Sequence, residues 1–141
     1  MGSSHTLIYV AGPLFDPGER WYLEQVDAVC RAAGYDTYLP HRDGGLKAGP
    51  HTDFGSIFAA DVAALERAGL VVAVWNGPDV DSGTAWEIGF AYARGVPVIG
   101  LHEDIRINDP TRQVNIVVSQ AANAICGSLG ELREVLVARA R

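Results

Sequence analysis

Leu70-Val71-Val72-Ala73-Val74-Trp75-Asn76-Gly77-Pro78-Asp79-Val80-Asp81-Ser82-Gly83-Thr84-Ala85-Trp86-Glu87-Ile88-Gly89-Phe90-Ala91-Tyr92-Ala93 is the stretch that decides the fold. Its first six residues form an unbroken apolar run, the pattern of a strand covered on both faces. Asn76-Gly77-Pro78 ends that run in a turn, and Asp81 or Ser82 is the expected N-cap of a helix. Apolar or small residues stand on every side of this helix, so it is expected to be buried all round. From Gly83 to Ala93 its only charge is Glu87. A lone carboxylate in such surroundings is costly unless it has a partner or a task.

The flanking sequence repeats the strand–helix alternation. Thr6–Ala11 reads as a short buried strand ended by Gly12-Pro13. After a loop over Leu14–Gly18, Tyr22, Val26, Val29, Cys30 and Ala33 recur at helical spacing, with Gly34 as the stop. Tyr35–Leu39 is the second strand, followed by a polar, glycine-rich loop from His41 to Phe54. Loops that long in a compact domain are usually functional. A helix over Ser56–Ala68 precedes the Leu70–Trp75 strand. Val96–Leu101 is the fourth strand and Asn123–Cys126 a fifth, short one, with a last helix over Leu129–Arg139. Glu103–Gln113 is polar, and the conformation of Val114–Val118 is not legible from its residues. Apolar strands alternating with helices imply an α/β domain spanning 1–141. The expected form is a flavodoxin-like, doubly wound open parallel sheet of about five strands in the order 2-1-3-4-5. Ligands of such sheets bind beyond the carboxyl ends of the strands. The segments meeting there are Ala11–Asp16, Pro40–Phe54, Asn76–Glu87 and Leu101–Gln113.

Composition narrows the function. The 141 residues carry a net charge of −6 with no basic run, which argues against nucleic acid or an anionic membrane as partner. The 48% hydrophobic content and mean hydropathy of +0.09 describe a compact fold. Cys30 and Cys126 stand in apolar surroundings and fit a reducing compartment. No apolar run approaches the length of a membrane span, and the first five residues are too polar for a signal peptide. A cytoplasmic protein is expected. The four histidines are scattered, so neither a metal nor a cofactor is expected. No GxGxxG follows the first strand, and neither a GxxxxGK[ST] loop nor a Gly-x-Ser-x-Gly elbow occurs.

What remains is a set of carboxylates and a tyrosine. Glu87 shares a helix face with Gly83, Thr84 and Ala91, which leave space rather than packing. About one turn into the helix, the dipole is expected to keep it ionised, suited to act as a nucleophile or cation stabiliser; a local salt bridge is the plainer role. Asp81 reads as an N-cap, with one oxygen free for a ligand. Asp79 reads as a solvated turn residue. Asp61 lies on the otherwise apolar stripe Ile57, Asp61, Ala64, Ala68, and either caps a later helix or projects into the cleft as an acid/base. Tyr9 reads as a core residue whose hydroxyl needs a partner. Asn115 reads as buried with its hydrogen bonds satisfied, and Arg42, Asp43 and Lys47 as surface charges. Paired carboxylates cleave glycosidic bonds, one attacking or stabilising the anomeric carbon and the other moving the leaving-group proton.

Taken together, these residues resemble the nucleoside 2-deoxyribosyltransferase family over about Thr6–Asn115. The matching pieces are Ile8-Tyr9-Val10-Ala11-Gly12-Pro13-Leu14-Phe15, Tyr38-Leu39-Pro40, Asp61 ahead of Ala68-Gly69-Leu70-Val71-Val72-Ala73, and above all Asp81-Ser82-Gly83-Thr84-Ala85-Trp86-Glu87-Ile88-Gly89. The resemblance implies that Glu87 is a nucleophile forming a covalent 2-deoxyribosyl intermediate and that Tyr9 orients it. Asp61 would be the proton donor and acceptor for the base, and Asp81 would help hold sugar or base. Gly12, Phe15 and Gly83 lie in the matched motifs and would border the substrate. Asn115 resembles an asparagine that reaches a neighbouring subunit's site, which implies a homo-oligomer. The implied substrates are 2′-deoxynucleosides and free purine or pyrimidine bases. Relatives that hydrolyse nucleoside 5′-monophosphates carry a serine- and arginine-bearing loop after the first strand. Leu14-Phe15-Asp16-Pro17-Gly18-Glu19 is acidic instead. His41-Arg42-Asp43-Gly44 stands where some members place a base-contacting glutamine. Hydrolysis of N-glycosides, or nucleotide binding without catalysis, are the other functions such a domain could have.

Overall fold

The computed structural model describes residues 5–45, 49–105 and 114–141. Five parallel strands form one sheet in the order β2-β1-β3-β4-β5. They are β1 (Leu7–Ala11), β2 (Asp36–Tyr38), β3 (Leu70–Val74), β4 (Val98–Leu101) and β5 (Ala124–Cys126). The helices are α1 (Pro17–Ala32), α2 (Pro40–Asp43), α3 (Phe54–Arg67), α4 (Ser82–Ala93), α5 (Ile116–Ala121) and α6 (Leu129–Arg139). The expected strand order and α/β class hold.

Alternation along the strands divides the core into two layers. Ile8, Val10, Leu70, Val72, Ile99 and Leu101 face α1 and α6, meeting Leu23, Val26, Leu132 and Leu136. Tyr9, Ala11, Val71, Ala73 and Val98 face the opposite way, onto Leu65 of α3 and Ile88 and Ala91 of α4. The second layer is the one that supplies the site. Trp75, 1% exposed, lies against β4. A β-carbon at Gly100 would sit 1.9 Å from its indole, so only glycine fits there.

Several expectations are corrected. Helix α4 is not buried all round: Thr84, Ile88 and Ala91 are buried, but Trp86 and Tyr92 are exposed. A helix lying on one face of a sheet covers the sheet with one side only, and apolar residues on its outer side do not change that. Helix α1 begins at Pro17, because Asp16 accepts from the Glu19 amide while Glu19 accepts from the Asp16 amide, a reciprocal capping box. Helix α3 begins at Phe54, capped by Asp53, so Asp61 sits mid-helix and caps nothing. The 41–54 loop opens with the α2 turn, and Lys47 lies outside the described residues. Most of the polar Glu103–Gln113 segment also lies outside them. Arg42 and Asp43 are more than surface charges: Arg42 bonds Asp43, Asp27 and the Thr37 carbonyl, tying α2 to α1 and β2. The unassigned 114–118 segment starts α5. Asn115 is exposed, and its side chain caps that helix by accepting from the Val117 amide. Asparagine is a favoured N-cap because its side-chain oxygen satisfies an otherwise unpaired amide of the first turn.

Candidate active site

Beyond the carboxyl ends of β1 and β3 lies a cavity of about 250 Å³. Every site residue expected from the sequence except Asn115 lines it: Tyr9, Gly12, Phe15, Asp61, Asp81, Gly83 and Glu87. Tyr9 comes from β1, Asp61 from the middle of α3, and Glu87 from the second turn of α4. A larger neighbouring cleft of about 430 Å³ opens on the α1 side and shares Phe15 and Asp81. It reaches none of Tyr9, Asp61 or Glu87, so its size does not make it the chemical centre.

The local sequence explains each placement. Asp81 caps α4 through Oδ2 alone, accepting from the Gly83 and Thr84 amides at 3.1 and 3.3 Å. The other carboxylate oxygen is left for the cavity. Gly12 lets the chain turn off β1: a β-carbon there would lie 2.6 Å from Leu23 Cδ2 and 3.1 Å from Val74 Cβ. Asp79 Oδ1 accepts from the Val80 and Asn115 amides, which pins the start of α5 to the turn before α4. Both bonds hold the Asp79 carboxyl below its usual range. Asn115 therefore sits beside the site's entrance loop without lining the cavity of its own chain.

Electrostatics revise the expectation for Glu87. Its carboxyl is pushed up to about 8, first by burial, then by the charges of Asp61 and Asp81, against a lowering by the Tyr9 hydroxyl. The helix dipole does not keep it ionised, because its influence fades beyond the first turn and Glu87 lies in the second. Asp61 is also raised above the ordinary range by burial, opposed by a hydrogen bond from Tyr38. Tyr9 is fully buried, as the core reading expects, and burial together with Glu87 and Asp61 raises its pKa so far that it stays protonated. Its hydroxyl makes no bond that meets the usual distance and angle, although it is near enough to Glu87 to lower that carboxyl. A buried donor with no committed acceptor is free to serve whichever charge state Glu87 adopts.

Tyr38 is a member of the site that sequence reasoning missed. Its hydroxyl donates to Asp61 Oδ1 at 2.9 Å, and its ring stacks on Tyr9 at 5.3 Å. Gly44 closes over this contact: a β-carbon there would lie 2.9 Å from Asp61 Oδ1 and 3.0 Å from the Tyr38 hydroxyl. A signal existed, since parallel pairing of β1 with β2 sets Tyr9 beside Tyr38 in register. Phe58, one turn before Asp61, and Trp86, next to Glu87, also line the cavity and were passed over. Among the described residues, no group of three or more His, Cys, Asp or Glu side chains is placed to hold a metal ion. No helix among them is long and apolar enough to cross a membrane.

Fold and site together define a flavodoxin-like domain with a cluster of carboxyls at the switch point of its sheet. A profile of nucleoside 2-deoxyribosyltransferases matches residues 8–125, and the chain belongs to that family. The family is enzymatic and works on nucleosides and bases, as deoxyribosyltransferases or related N-glycosidases. Among solved structures, a conserved protein from Enterococcus faecalis V583 is 27% identical with a TM-score of 0.84, covering 96% of this chain and 99% of its own. A 2-deoxyribosyltransferase from Bacillus psychrosaccharolyticus is 21% identical with a TM-score of 0.77, covering 93% and 96%. A CMP N-glycosidase from Clostridium botulinum is 17% identical with a TM-score of 0.63, covering 95% and 99%. The latter two likenesses speak to the fold alone. No curated protein sequence matches the chain.

Proposed function

We propose that this protein exchanges the base of 2′-deoxynucleosides by a retaining double displacement in the Glu87 cavity. The observation that carries the reading is the convergence of Tyr9, Asp61, Asp81 and Glu87 on one small cavity without a metal-binding cluster among the described residues. In the first half-reaction, a Glu87 oxygen bonds to C1′ as the N-glycosidic bond breaks. The bond electrons leave with the base nitrogen, which takes a proton from Asp61. In the second, a nitrogen of the incoming base bonds to C1′, the Glu87–C1′ bond returns its electrons to the carboxylate, and Asp61 recovers the proton. Two inversions give net retention. Without a 2′-hydroxyl to withdraw electrons, the oxocarbenium-like state forms more easily. Tyr9 donates to the Glu87 oxygen that regains charge, and the free oxygen of Asp81 accepts from a sugar hydroxyl.

At rest burial favours the proton on Glu87, so this division of labour requires that proton to pass to Asp61 before the attack on C1′. The productive form carries that proton on Asp61, whose carboxyl burial also raises, and leaves Glu87 ionised. Asp16, Glu19, Asp79 and Asp81 line the adjoining cleft, a field that repels a 5′-phosphate and favours nucleosides over their monophosphates. Incubating thymidine with and without adenine tests the reading. Deoxyadenosine should form only when both enzyme and adenine are present. Thymine release at the same rate without adenine would mean hydrolysis, and binding without turnover would mean a non-catalytic nucleoside-binding domain.

A homo-oligomer belongs to the same reading. Tyr92, Ile116 and Val117 leave an apolar strip of α4 and α5 in water, and Asn115 stands at its edge outside its own cavity. A second chain covering that strip would bring its Asn115 to this chain's sugar. Light scattering should give a native mass that is a multiple of 15.1 kDa; a monomer retaining full exchange would refute the shared site. With its free, buried cysteines, the protein is assigned to the cytoplasm.

A further inference from the structure

We propose that Phe58 and Trp86 form a stacking platform for the base at the mouth of the Glu87 cavity, so that bases are selected by the area of their flat face rather than by their hydrogen-bonding edge. The inference deepens the nucleoside reading above and rests on it. Both rings line the cavity, yet Phe58 is 58% and Trp86 49% exposed. They meet across α3 and α4 with centroids 5.7 Å apart and planes tilted by 58°. Behind Trp86, Phe90 stacks at 5.5 Å with planes 25° apart, and the Arg94 guanidinium lies over the Phe90 ring at 5.5 Å. The indole is therefore propped from behind while it remains open on the cavity side.

Position gives these rings a task. Phe58 stands one turn before Asp61 on the same face of α3, and Trp86 immediately precedes Glu87. A base stacked on the face of one ring meets the other at an angle, and is held next to the group that moves its proton and the group that takes its sugar. Apart from the Trp86 indole N–H, the polar side chains lining the cavity are Tyr9 and three carboxyls. Among the described lining residues there is no amide, imidazole or cationic side chain to read the donor and acceptor pattern of a base. Stacking tolerates any base because every base has a π-face, and it strengthens with overlap. A two-ring purine thus outranks a one-ring pyrimidine, with neither excluded.

The test uses the full chain and two readouts. In exchange from thymidine, Phe58→Leu and Trp86→Leu should raise the KM for adenine roughly 10–100-fold, and that for cytosine less, with KM changing more than kcat. In the absence of any sugar, adenine should quench tryptophan emission. Trp86→Phe should remove that quenching, Trp21→Phe should retain it, and 2-deoxyribose should produce none. Quenching through Trp86 without turnover would sink the exchange reading and leave the platform standing. Normal turnover with unchanged KM in both leucine variants would sink the platform and leave exchange standing. Trp86 emission that responds to dilution but not to adenine would show the ring covered by a second chain, which also overturns the proposal.

Discussion

Glu87→Gln is expected to lose the proposed base exchange by roughly four orders of magnitude or more, the scale on which removal of a covalent nucleophile acts. Glutamine fills the same space and offers the Tyr9 hydroxyl an amide oxygen in place of the carboxyl, so the loss reads out the bond to C1′ rather than a collapsed cavity. The same variant is expected to gain stability, with a definite pH dependence. Burial raises the folded-state pKa of Glu87 from 4.5 to about 8. Between those values the folded protein keeps a proton that the unfolded chain has released. Stability therefore falls as pH rises through that window, and the cost is complete once Glu87 is ionised above about 8. Below about 4.5 both states are protonated and the cost vanishes. At pH 8.5 the glutamine variant should exceed the wild type by a few kcal/mol at most, and at pH 4 the two should melt together. Thermal unfolding at the two pH values measures this. A glutamine variant no more stable at pH 8.5 would mean that the carboxylate is not strained, and retained exchange would put the nucleophile elsewhere.

Asp61→Asn is the second large effect, a fall in kcat/KM of roughly 10²–10⁴-fold, as expected for loss of a positioned general acid. The amide oxygen can still accept from Tyr38, which stands 2.9 Å from Oδ1, so the geometry survives while the proton is lost. The pH profile separates the two roles. On the double-displacement reading, wild-type activity needs one proton on the Glu87–Asp61 pair. It falls on the acid side as a second proton binds, and on the alkaline side near 8 as the last one leaves. With asparagine only the Glu87 ionisation remains. The bell becomes a single rise, with its midpoint below 8 because the Asp61 charge no longer opposes Glu87. A bell that persists in the asparagine variant would show the acid to be another group. Tyr38→Phe should move the acid limb of the wild-type bell upward, since the hydroxyl lowers Asp61.

What the sequence could show depended on how local each determinant was. The Leu70–Val74 strand, the Asp81 cap and the helix carrying Glu87 are encoded within some twenty consecutive residues, and they stand where expected. Strand order followed from apolar strands and right-handed crossovers, which are rules of chain topology. Asp61 could not be resolved between cap and cleft, because that choice rested on Asp53 capping α3 eight residues ahead of it. Tyr38 was invisible as a partner of Asp61, since twenty-three positions and the whole of α2 separate them. Asn115 was misjudged for a simpler reason: apolar neighbours suggested burial, but Ile116 and Val117 are themselves exposed. The ionisation of Glu87 was misjudged because burial is a property of the assembled cavity, while the helix dipole is a property of the segment.

The parallel pairing of β1 with β3 has a consequence for how the protein is made. Ile8 pairs with Leu70, about sixty residues further along. On a ribosome, Leu7–Ala11 emerges well before Leu70 and then waits for its central neighbour. A contact order this high slows folding and leaves an apolar strand edge open to other nascent chains. Tyr9 is synthesised before Glu87 and meets that carboxylate only when Glu87 leaves the exit tunnel. Mutations that slow synthesis between those points should lower the yield of active enzyme without altering a single contact of the finished site.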